Sequence, residues 1–245
     1  MRKLIVIGAL VFLCGIITLF PATVALRFAP DSLRVSGVSG TIWSGQIAAL
    51  QVEDLTLSSV QWQLEPAALL VGKLAAHIEA DIPGGFVNGR IAIQGETITL
   101  TDTTASVDLL PVTERSSIGP TQGRINASIQ RLTLENEWPV EIIGEAQLRE
   151  LQYPPIGSRS LGDFELVFDP QWVSDDYAAA AAIRSTSGPF ILTDTRLQLG
   201  DNRRYLISGR IKTAEGTDAF TRNSLRFLGP AAADGTHALS YEGRL

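Results

Sequence analysis

The chain is nearly without cysteine and histidine. Its one cysteine, Cys14, lies inside an apolar run, so residues 27–245 contain no thiol. That excludes disulfides from the greater part of the chain, and with them a cysteine-based metal or redox site. A thiol-free composition is also the safest one for an oxidising compartment. The two histidines, His77 and His237, have no partner at metal-ligand spacing. Basic charge is scarce as well: 20 Lys and Arg stand against 26 Asp and Glu. A sequence pI near 5.0 leaves no basic face to meet phosphates, so no nucleic-acid partner is expected.

Catalytic patterns are missing too. Gly37-Val-Ser-Gly-Thr41 breaks the nucleophile-elbow pattern at its last position, and no glycine-rich loop precedes a Lys-Ser or Lys-Thr pair. The acidic pairs Glu53-Asp54 and Asp175-Asp176 match no Ca²⁺ loop. On a strand such adjacent residues point to opposite faces and do not share a substrate. These features predict no catalytic residue, no cofactor and no metal site.

What is present begins at the N-terminus. Arg2-Lys3 precedes an uncharged stretch from Leu4 to Leu26. About 20 such residues cross a hydrocarbon layer of about 30 Å, and the basic pair favours a cytoplasmic N-terminus. The anchor candidates are Leu4, Ile5, Val6, Val11, Phe12, Leu13, Ile16, Ile17, Leu19 and Phe20. A cleaved signal peptide competes with this reading, with Thr23-Val24-Ala25 as its cleavage-like site. Its apolar centre normally spans only about 7 to 15 residues, so an uncleaved anchor is expected. Residues 1–26 then form a cytoplasmic tip and transmembrane anchor, and residues 27–245 an outer domain. That domain keeps 18 basic and 26 acidic residues, a net charge of −8.

The outer part reads as β-strands. Leu74, Ala76, Ile78, Ala80 and Ile82 alternate with Ala75, His77, Glu79 and Asp81, and a period of two puts the two sets on opposite sheet faces. The same alternation runs through Val87–Ile93, Ile125–Ile129, Leu161–Phe168 and Tyr205–Ile211. Gly-Arg-Ile recurs at 89–91, 123–125 and 209–211. Each glycine precedes an apolar face that starts at Ile, where it can open a strand from a turn, form a bulge or let a neighbouring backbone approach, and each arginine falls on the opposite, solvated face. Clusters of Gly, Pro, Asn and Asp between the runs supply turns for antiparallel meanders. A short helix is expected from Pro66, ending near Gly72, and another over Thr217–Leu228 with Thr217 as its cap. Asp175–Ile183, with its five alanines, fits helix or strand. The fold class is therefore mainly β: a single N-terminal transmembrane helix, then an extended, curved, largely antiparallel sheet with one or two short helices. Trp43 and Trp62 are expected to anchor strand ends in the core, each with one N–H to satisfy. If the Trp62 ring is fully buried, its replacement by alanine costs roughly 3 to 5 kcal/mol.

Several of these pieces occur together in one family. "GVSGTIWSGQIAAL" (37–50), "LSSVQWQLEPAALLVGKLAAHIEA" (57–80), "GRIAI" and the closing "LRFLGPAAADGTHALSYEGRL" (225–245) resemble protein N of the bacterial type II (general) secretion pathway. The residues carrying the resemblance are Gly37, Gly40, Trp43, Gly45, Trp62, Pro66, Leu69, Leu70, Gly72, Gly229, Gly235 and Gly243. Such positions specify a fold rather than a chemistry. The resemblance implies an accessory inner-membrane subunit with a periplasmic β-rich domain and no catalytic residues. Its implied partners are other type II secretion components and the inner membrane. The phrase Trp62 to Gly72 is also similar to AsmA-like envelope proteins, which use curved sheets as troughs for lipid. Two functions follow: an interaction or assembly subunit of the export machine, or a carrier holding lipid in an apolar groove lined by Leu74, Ile78, Ile82, Ile91 and Ile93.

Overall fold

The computed structural model describes residues 15, 16, 18–26, 33–52, 55–113, 119–153, 159–173, 177–200 and 203–244. The alternating segments form thirteen strands: β1 (Leu33–Gly40), β2 (Ser44–Val52), β3 (Leu55–Leu64), β4 (Leu74–Ile82), β5 (Gly85–Gln94), β6 (Thr97–Asp108), β7 (Gln122–Glu135), β8 (Trp138–Gln152), β9 (Ser160–Phe168), β10 (Tyr177–Ser187), β11 (Phe190–Gly200), β12 (Arg204–Thr213) and β13 (His237–Arg244). The chain divides into two compact units, Met1–Gln94 and Gly95–Leu245. The first holds β1 to β5 and the second β6 to β13. Within each unit every strand pairs antiparallel with its sequence neighbour. Short connections explain this order, since a tight turn returns the chain beside the strand it has just left. Between β7 and β8 the turn is Asn136-Glu137, and both residues take positive φ, as a two-residue hairpin requires.

In the first unit the register builds an apolar face. Ile47, Val60 and Ala80 are its buried centre, with Val38, Leu50, Trp62, Val87 and Leu26 packed against them. In the second unit one cross-strand row runs Thr103, Ile129, Gly144, Phe168, Ala181, Leu197, Ile207, Tyr241. A neighbouring row on the opposite face runs Ser106, Asn126, Gln147, Glu165, Arg184. The expected division into one apolar and one polar face is therefore present. Its burial is distinctive: among the described residues no large side chain is fully buried, and the most enclosed are alanines, including Ala75, Ala179 and Ala181. The larger apolar side chains are shielded mainly by their cross-strand neighbours.

The Gly-Arg-Ile segments all lie in strands, and each arginine meets a carboxylate. Arg90 binds Glu65 through Nε at 2.5 Å and Nη2 at 2.8 Å. Arg124 Nε lies 2.8 Å from Asp108 Oδ1, on its register partner, and Arg210 binds Asp194. The arginines are thus on the polar face as expected, but paired rather than simply solvated. At half-exposed positions screening leaves such pairs a small share of stability; their more direct effect is on register.

One open choice is decided by the structure, and two expectations need correction. The alanine run, which fits helix or strand by sequence, is strand β10, with Ala181, Ala182 and Ile183 paired to both β9 and β11. The later helix is shorter than expected, Ala219–Ser224 followed by a 3-10 turn at Leu225–Leu228. Its cap is Asp218 rather than Thr217, whose hydroxyl instead donates to the Ala214 carbonyl at 2.7 Å. Trp62 is half-buried, because a single sheet face leaves one side of the ring uncovered.

Short helices also occur at Ala22–Ala25, Pro66–Leu69 and Leu109–Thr113. Among the described residues no helix is long and apolar enough to cross a membrane. Of the anchor candidates, Leu4, Ile5, Val6, Val11, Phe12, Leu13 and Ile17 lie outside the described residues. Ile16 and Leu19 are exposed, and Phe20 is half-buried. Glu53-Asp54 and Asp175-Asp176 also lie outside the described residues.

Candidate interaction surfaces

Two groups of motif residues meet in space, one in each unit. In the first, a cross-strand row runs Gly40, Gly45, Trp62, Ile78 and Gly89. The Trp62 ring lies over Gly45: a Cβ there would fall 2.4 Å from Cζ2 of the ring and 2.5 Å from the Ser39 carbonyl oxygen. Glycine is needed at this site by close approach, and the ring in turn covers the backbone that glycine leaves bare. Trp62 Nε1 donates to the Ile42 carbonyl at 3.0 Å, so the buried edge of the indole is satisfied. Beneath it, Ala22, Ala25, Leu26, Ile42 and Ile47 complete an apolar pocket of about 200 Å³ with Trp62.

Backbone bonds tie the neighbouring segments to this corner. Ile42 N donates to the Phe20 carbonyl at 3.0 Å, and Leu64 N to the Trp43 carbonyl at 2.7 Å. Pro21 forms a β-bridge with Thr41. The chain then turns through the helix Pro66–Leu69, with Pro66 at its start, where its missing N–H costs nothing. Gly72 closes the turn with φ 72°. Between them Leu69 is 45% exposed, Leu70 88% and Val71 65%. Leu69 and Leu70, two of the motif residues, therefore point to an outer surface and not to the core.

The second group is C-terminal. Gly243 faces Tyr205 across β12 and β13, and a Cβ there would lie 2.5 Å from the ring's Cζ. This repeats the aromatic-over-glycine arrangement of Gly45 and Trp62. Gly229 follows the 3-10 turn, and its carbonyl lies 2.8 Å from His237 Nδ1, which ties the turn to β13. Gly235 sits in the loop before β13, with open space where a Cβ would stand. Around this segment Phe220 is 74% and Phe227 94% exposed, and Leu228 and Tyr241 are also exposed. Reading by alternation missed Phe220 and Phe227. The available signal was two aromatics seven positions apart within the expected helix, a spacing that puts both on one helical face.

Asp218 holds this helix in place. Its Oδ1 accepts from Phe220 N and Thr221 N at 3.0 and 3.2 Å, its Oδ2 from the Thr221 hydroxyl at 2.8 Å, and Arg159 Nη1 lies 2.7 Å away. The Thr221 hydroxyl and N–H, with Arg159, hold the carboxyl at about 2. A carboxyl depressed in the folded state adds stability that is fully present above its unfolded value of about 3.9 and is lost as pH falls through its folded value. The amide signals of Phe220 and Thr221 should therefore stay in place down to about pH 4 and move in a transition centred at about 2. Movement centred near 4 would show that the carboxylate does not cap the helix.

An open cleft of about 710 Å³ is lined by Asp108, Arg124, Arg149, Glu150 and Asp163, among others. Several of its charges are engaged with neighbouring side chains and the backbone. Arg124 pairs with Asp108, and Asp163 accepts from Glu150 N at 2.7 Å and from the Ser187 hydroxyl at 2.8 Å. Those bonds, the backbone one first, lower the Asp163 pKa. A carboxylate held ionised in this way is poorly suited to carry a proton at neutral pH.

Comparison with known proteins identifies the family. The family profile for the type II secretion system (T2SS), protein N, matches residues 31–240. The type II secretion system protein N of Aeromonas hydrophila is 27% identical over 263 residues, covering 100% of both chains. The protein of the same name from Vibrio cholerae is 36% identical over 70 residues, 28% of each chain. No solved structure matches the chain. With the family profile covering residues 31–240 and a relative of the same name aligned over the full length, the chain belongs to the type II secretion system protein N family.

Proposed function

We propose that this chain is an accessory inner-membrane component of the type II secretion system, acting by protein contact rather than by catalysis. Residues 1–26 form the cytoplasmic tip and membrane anchor, and residues 27–245 the periplasmic β-domain. The uncharged stretch from Leu4 to Leu26 behind Arg2-Lys3 supports the anchor. The observation that carries the contact role is the exposed aromatic pair Phe220 and Phe227 beside β13. Among the described residues β13 pairs only with β12. Exposed aromatics beside an open strand edge are common docking ground for another protein.

The test is native purification of the full-length protein from membranes, with mass spectrometry of what remains bound. Wild type should retain other secretion components. The double variant Phe220→Asp, Phe227→Asp should lose them with an unchanged melting midpoint, since both rings are exposed. Full retention by the variant would remove this surface from the contact. The carrier reading also has an observation in its favour, the absence of any fully buried large side chain among the described residues. Stoichiometric lipid on the purified protein, without secretion components, would put that reading first.

A further inference from the structure

We propose that the apex Leu69-Leu70-Val71 is a lipid-contacting wedge that enters the surface of the bilayer holding the N-terminal segment. This rests on the anchor reading above. The stretch Pro66 to Gly72 has no charge, and its three largest side chains are exposed together. Isolated exposed leucines are ordinary. Three consecutive apolar side chains at a loop tip give the fold nothing and enlarge its exposed apolar surface.

The place of the apex in the fold says what covers it. The chain arrives from its uncharged stretch at Phe20, whose carbonyl accepts from Ile42 N. The next segment, at Trp43, accepts from Leu64 N. Leu64 ends β3, the short helix begins two residues later at Pro66, and the apex follows at Leu69. The apex and Phe20, within that stretch, therefore lie at the same end of the first unit, one hairpin apart. The far end of β4 carries Asp81 instead, exposed to water. At the base of the apex Glu65 is bound by Arg90 through two nitrogens, which offsets its charge. Lys73, exposed on its other side, is the residue type that lays its methylenes along an apolar surface and keeps its ammonium at the headgroups. Uncharged apolar tip, flanking lysine and adjoining membrane segment together describe an interfacial contact.

The test uses the full-length chain in a Cys14→Ser background, in vesicles of phosphatidylcholine and phosphatidylglycerol. A single environment-sensitive fluorophore is placed at Leu70→Cys or, as a water-facing reference, at Glu79→Cys. Both positions are exposed, so neither substitution disturbs packing. The Leu70 probe should shift to the blue and lose more than about half its emission to nitroxides at a shallow acyl position, as a depth of about 5–10 Å requires. The Glu79 probe should remain unquenched. Equal water exposure of both probes, in protein that resists carbonate extraction, would overturn the wedge and leave the anchor standing. A quenched Leu70 probe on protein that carbonate extracts would support the wedge and remove the anchor. A blue shift that needs added secretion proteins, without lipid quenching, would make the apex a protein contact and overturn the proposal.

Discussion

Gly45→Ala is expected to destabilise the first unit by about 3 kcal/mol, the upper end of the usual range for overpacking. A methyl group at Gly45 would sit 2.4 Å from the Trp62 ring and 2.5 Å from the Ser39 carbonyl oxygen. The ring has some freedom to tilt, since one of its sides is open. The carbonyl does not, because it belongs to the β1 backbone that pairs with β2. The methyl group must therefore push β1 away from β2 or the ring out of its pocket, and both separate register partners. Urea unfolding followed by circular dichroism would report the loss as a lower midpoint with an unchanged slope. A midpoint equal to wild type would mean the hairpin spreads freely and the close approach has no structural weight.

Trp62→Ala is the second large effect, expected at roughly 3 kcal/mol, the lower end of the range for aromatic truncation. Full burial would place it higher. The structure leaves the ring half-buried against Ile47, Val60 and the Ala22–Ala25 helix, and water can enter part of the space it vacates. The loss includes the Nε1 bond to the Ile42 carbonyl, which Trp62→Phe isolates at about 1 kcal/mol. Combining Trp62→Ala with Gly45→Ala should cost less than the sum of the two, since the ring that clashes is then gone. Strict additivity would show that the Ser39 carbonyl alone causes the strain at Gly45. The two units need not unfold together, so a biphasic transition is analysed with only its first-unit phase assigned to these variants.

The strands were legible because a period of two needs no knowledge of what lies across the fold. Leu74 to Ile82 and Ile125 to Ile129 state which side chains share a face. The glycine and tryptophan positions that carry the family resemblance were legible as well. Their partnership was not: Gly45 and Trp62 are 17 positions apart and meet only through the β2–β3 register. The alanine run at 177–183 shows the limit. Alanine favours helix by local propensity, yet β9 and β11 already flank this segment and their register requires small side chains between Phe168 and Leu197. The late helix shows another. Thr217 and Asp218 are both good caps on paper; the structure caps through Asp218, which accepts from Phe220 N and Thr221 N, while the Thr217 hydroxyl donates to the Ala214 carbonyl.

What the sequence determined by itself is therefore the face on which each side chain stands, the uncharged N-terminal stretch and the family. Local pattern and composition suffice for those. The tertiary structure decided that the Gly-Arg-Ile arginines are paired, that the large apolar residues remain half-covered, and that Leu69, Leu70, Phe220 and Phe227 face outward. Burial and pairing depend on which strand lies alongside, and that is set by register across the whole sheet rather than by any local stretch of residues.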